Sequence, residues 1–91
     1  MDYELLYVLM KNEIPKKKTA PSEEVLKLAK RIKEIRIGKG YASHEIFAYE
    51  KNIPRAQYGR YERGENMRFD SLMKLIKAFD MSIEEFFGEG F

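Results

Sequence analysis

Ninety-one residues suffice for one small domain with a single core, burying roughly 60–65% of the surface its unfolded chain exposes. The absence of cysteine excludes a disulfide framework and Cys-based zinc or iron–sulfur sites, and it fits a reducing compartment. Seventeen Lys and Arg face fifteen Asp and Glu, yet the balance is uneven: residues 22–40 carry a net +3 and residues 65–91 a net −3.

Residues 1–12 begin the chain with a helical stripe, Tyr3, Leu6, Tyr7 and Met10, widened by Leu5, Val8 and Leu9. The apolar run at 5–10 is far too short to span a membrane, and it follows acids rather than lysines, unlike a signal peptide. A cytoplasmic protein without a membrane segment is expected. So greasy a helix must cover the domain's own core or meet another polypeptide. Residues 13–21, EIPKKKTAP, read as a linker or arm with two prolines and a lysine triplet.

A domain over 22–91 follows. Ser22 reads as an N-cap with Glu23 and Glu24 in the first turn. The helix over 23–37 has Val25, Leu28, Ala29, Ile32 and Ile35/Arg36 on one stripe, and Gly38 and Gly40 end it. Ser43 caps the next helix, which buries Phe47 and keeps the small Ala48 at a close helix contact. Asn52 suits the left-handed conformation of a short turn. Ile53 is biased to an extended conformation by Pro54, and Pro54 suits the first position of a new helix over about 54–62. In that helix Tyr58 and Tyr61 face inward. Phe69, Leu72, Met73, Ile76 and Phe79 mark a further core helix, and Ser82-Ile83-Glu84-Glu85 is a capping-box signature opening a last one that turns Ile83, Phe86 and Phe87 to the core. No strand-like alternation and no repeat appears, so the fold class is all-α.

Two short helices joined by a tight turn over 43–62, the second exposing Arg55, Gln57 and Arg60, form a unit suited to entering a DNA major groove. The uneven charge suits a domain with one DNA-facing side, although surface scatter would give the same counts. An enzyme is not expected: one His, no Cys and no Gly-rich phosphate loop leave no catalytic constellation. No cofactor is implied, and His44 lacks a second His or Cys for a metal.

From about 31 to 87 the order resembles the phage-repressor-like (Cro/XRE-type) helix-turn-helix family. The resemblance rests on Arg31-Ile32-x-Glu34-Ile35-Arg36, Gly40, Ser43-His44-Glu45-x-Phe47-Ala48, Ile53, Tyr58, Tyr61-Glu62-Arg63-Gly64 and Leu72-Met73-Lys74-Leu75-x-Lys77-Ala78-Phe79-x-Met81-Ser82. Asn52 stands where the family usually has Gly, Tyr58 where it has Ile or Val, and His44 where it has Gln. The resemblance implies a five-helix repressor-like DNA-binding domain, here with an extra N-terminal helix, acting as a small transcriptional regulator on double-stranded DNA.

Arg55 and Arg60 can each fork to guanine, Gln57 can pair with adenine, and Ala56 can touch a thymine methyl; the bland alternative is that all four are solvated. Ser43 and His44, at a helix start that the resemblance places against the DNA backbone, are expected phosphate contacts. Arg63 and Arg68 join them, as do Lys16, Lys17 and Lys18 if the linker acts as an arm. Arg36 and Glu62 look like the family's structural ion pair. Reading two half-sites implies a homodimer through either the N-terminal helix, slightly favoured, or the C-terminal Phe86, Phe87 and Phe91. The competing function is an antitoxin-like or adaptor module whose N-terminal helix binds a protein partner.

Overall fold

A computed structural model describes residues 20–91 as five consecutive helices: α1 Glu23–Gly38, α2 His44–Glu50, α3 Arg55–Glu62, α4 Phe69–Ala78 and α5 Ile83–Phe87. No strand occurs among the described residues, so the all-α class holds. The N-terminal helix over 1–12, the lysines of the arm and any protein partner at that end lie outside the described residues.

The local signals behave as their chemistry requires. Ser22, Ser43 and Ser82 cap α1, α2 and α5 by accepting from the amides of Val25, Ile46 and Glu85, each satisfying a donor the first turn leaves unpaired. At α5 the Glu85 carboxylate returns the contact to the Ser82 amide at 2.8 Å, completing the capping box. Asn52 has φ 59°, the left-handed turn expected of it. Pro54 departs by one position: it is the N-cap of α3, with φ −56° and ψ 131°, and the helix begins at Arg55.

Phe47 is the hub of the core. Its ring lies 5.1 Å from Tyr41, 5.1 Å from Tyr58 and 5.2 Å from Phe79, tying the loop after α1 to α2, α3 and the end of α4. Ile32, Ala48, Leu75, Ile76 and Phe86 complete a fully buried centre. Each large apolar side chain so buried stabilises the fold by about 1.5–3 kcal/mol. Ala48, with no exposed surface, is where α2 and α3 meet.

Three aromatic and aliphatic positions expected inside are not. Phe69 is 71% exposed, Ile83 about half exposed and Phe87 38% exposed. Phe69 is the first residue of α4, so its side chain projects off the end of the stripe that Leu72, Leu75 and Ile76 bury. Helix α5 has only five residues, and Phe86 alone fills the space it covers.

Candidate nucleic-acid interface

Helix α3 is pinned from behind. Tyr58 and Tyr61 are buried as expected, and Arg36 grips Glu62 through two parallel bonds, Nε to Oε2 at 2.7 Å and Nη2 to Oε1 at 3.1 Å. The third arm of the guanidinium, Nη1, donates to the Tyr41 carbonyl at 2.6 Å. Tyr58 adds its hydroxyl to the same Glu62 carboxylate, so every polar atom of the cluster has a partner. Burial raises the Glu62 carboxyl, but Arg36 and Tyr58 outweigh it and hold the group below the usual carboxylate range. Burial and the bond to Glu62 together push the Tyr58 phenol strongly upward, keeping it neutral and donating.

The opposite side of α3 is open. Arg55, Ala56 and Arg60 are exposed, and Pro54 supplies no side-chain cap to the amides of the first turn. Gln57 is half-buried, its amide nitrogen bonded to the Tyr61 hydroxyl, which leaves one amide hydrogen and the carbonyl oxygen unused. Arg60 reaches Glu65 at 3.6 Å.

Glycine 59 explains itself here. A Cβ at that position would stand 3.0 Å from Arg63 Nη1 and 3.8 Å from His44 Nε2. The bare backbone therefore lets the Arg63 guanidinium lie along α3 beside the start of α2. His44 also faces Glu45 at 3.7 Å, and its ring stacks 6.3 Å from Tyr58. The Ser43 hydroxyl donates to Glu45, and this bond is the leading reason the Glu45 carboxyl is more acidic than usual; His44 and Arg55 add smaller contributions. His44 and Arg55 thus converge on the Glu45 carboxylate, and Arg63 lies beside His44 over Gly59. Arg68 sits apart from them, paired with Asp70 at the start of α4 at 3.2 Å.

Among the described residues no group of His, Cys, Asp and Glu could hold a metal ion, and no helix is long and apolar enough to cross a membrane. No protein-family model and no curated protein sequence matches the chain. Solved structures do. The wild-type restriction-modification controller protein C.Esp1396I is 31% identical, with a TM-score of 0.67 over 76% of this chain and 90% of that one. The restriction-modification controller protein C.AhdI from Aeromonas hydrophila is also 31% identical, with a TM-score of 0.63 over 72% of this chain and the whole of that one.

This chain belongs to the XRE-type helix-turn-helix family. As a member it is a DNA-binding regulator. Arg31 is part of the family pattern in this helix-turn-helix protein, but sequence reasoning assigned it no role. Its Nε donates to the Phe86 carbonyl at 2.7 Å and its Nη2 to the Glu85 carbonyl at 2.9 Å, joining α1 to the end of α5.

Proposed function

We propose that the protein is a sequence-specific transcriptional regulator of the restriction-modification controller kind, with α3 in the major groove of double-stranded DNA. The observation that carries this reading is the two-sidedness of α3: buried tyrosines and the Arg36–Glu62 pair behind, exposed Arg55 and Ala56 in an uncapped first turn in front. A rigid helix with free long donors on its outer side is what base readout requires.

Arg55 is the leading base contact, forking to guanine. Gln57 keeps one donor and one acceptor, the pair an adenine edge needs. Ala56 contacts a thymine methyl, and Arg60 takes a neighbouring base or phosphate in exchange for Glu65. Ser43, His44 and Arg63 hold the backbone at one end of the motif and Arg68 at the other, with Lys16, Lys17 and Lys18 adding phosphate contacts. Two such motifs must be joined to read sites about 34–36 Å apart. Ile83, Phe87 and Phe91, left exposed on and after α5, are the surface through which a second copy docks.

Selection of bound duplexes from a random library gives the operator. On that operator Arg55→Ala costs about 1–3 kcal/mol and relaxes preference at one base pair. Unchanged affinity and preference would refute α3 as the reading helix.

A further inference from the structure

Arg31 is buried, yet both donors that are satisfied inside the protein go to main-chain carbonyls 54 and 55 residues away. Those carbonyls end α5, where a helix leaves its last acceptors without partners. The guanidinium also lies 5.7 Å from the centre of the Phe86 ring, and Nη1 is 3.8 Å from the Glu89 carboxylate. Gly90, with φ +88°, turns the chain back over the same side chain, close enough that a Cβ there would touch Arg31 Cδ at 3.4 Å. That return places Phe91 5.0 Å from Phe87 and 6.3 Å from Phe86, while Phe86 and Phe87 meet edge to face at 4.9 Å. The three rings form one cluster, and Arg31 is the buried group around which the chain carrying them folds back.

The same helix carries the second buried arginine. Arg36 holds α3 through Glu62, and Arg31 holds the end of α5, so α1 is the strut between the reading helix and the C-terminal rings. We propose that Arg31 is a positioning residue for self-association. It arranges Ile83, Phe87 and Phe91 as one surface for a second copy and fixes that surface relative to α3. The assignment rests on the dimer reading above. Phe86 is fully buried, so the rings beside it present only what Arg31 and Gly90 leave outside.

The test uses the full chain. Sedimentation gives the dimer dissociation constant of the unaltered protein, Arg31→Met, Arg31→Lys and Phe87→Ala. Amide NMR signals of residues 43–62 report in parallel on the motif. Arg31→Met keeps the length of the stem but has no donor, and Arg31→Lys keeps the charge but cannot fork to two carbonyls. The expected result is dimerisation weakened at least tenfold in Arg31→Met and Phe87→Ala, and several-fold in Arg31→Lys, with the 43–62 signals in place. A merely structural role would move those signals together with dimerisation and would overturn the assignment. If Arg31→Met does not fold, Arg31→Lys decides. A folded Arg31→Lys that dimerises like the unaltered chain overturns the assignment while leaving the dimer reading intact. An unaltered chain that stays monomeric overturns both.

Discussion

Helices α3 and α4 are of similar length, eight and ten residues, and are stabilised by opposite means. Helix α4 carries its own reason to fold: Leu72, Leu75 and Ile76 bury an aliphatic stripe, continued by Phe79 at its cap. Helix α3 has no side-chain cap, no acid in its first turn and a glycine in its interior. It buries two tyrosines whose hydroxyls need partners, and its last residue is an ionised Glu held from α1. Helix α3 leaves Arg55, Ala56 and Arg60 exposed on its outer side and draws no burial from them. Its stability is delegated to a polar cluster behind it, and that cluster therefore sets both its stability and its aim.

The sharpest way to break this contrast is to remove the cluster's anion. Glu62→Ala strands Arg36 in a buried site and lowers stability by about 3–5 kcal/mol, with DNA affinity falling further because α3 is no longer aimed. A thermal melt matching the unaltered chain would show that the pair does not hold α3. The matching change in α4, Leu75→Ala, lowers stability by about 2–5 kcal/mol. Measured well below its melting temperature, its DNA affinity is unchanged. Equal losses of affinity in the two variants would erase the distinction.

Acid sharpens the comparison with a smaller effect. Glu62 ionises below its ordinary value of 4.5 in the folded chain. The stability it contributes is complete above the unfolded value and is lost as pH falls through the folded one. Melting temperatures followed downward from about pH 5 therefore fall, and Glu62→Gln flattens part of that slope.

Gly59→Ala is expected to act least on stability, and in the opposite direction from its effect on binding. Alanine gains up to about 1 kcal/mol of helix propensity over glycine. The atom a new Cβ meets is the far end of Arg63, which can swing away. The variant melts at or slightly above the unaltered temperature and binds DNA several-fold more weakly, because Arg63 leaves its place beside His44. Tight binding by a stabilised Gly59→Ala chain would remove Arg63 from the interface.

What was legible in the sequence was local. The serine caps, the Asn52 turn and the inward tyrosines depend on neighbours within four residues, and the structure places them where those neighbours dictate. Phe69 and Ile83 were misread because periodicity identifies a stripe but not where the partner helix stops covering it. The use of Gly59 was not legible, since it depends on a side chain four residues on folding back over it. The role of Arg31 was illegible for a different reason. Its partners are carbonyl oxygens, which every residue possesses, so nothing in the sequence at 85 and 86 marks them.

The chain has no tryptophan, so its six tyrosines are its strongest intrinsic chromophores, and one of them is built into the buried side of α3. Tyr58, buried and donating to Glu62, resists ionisation. A phenol harder to ionise in the folded chain stabilises it until pH rises past the unfolded value, after which opening the helix becomes the route to tyrosinate. Tyr41 is also held up by its bond to Glu50, so it is the last step of an alkaline absorbance titration that records α3 leaving its seat, obtained without attaching any label.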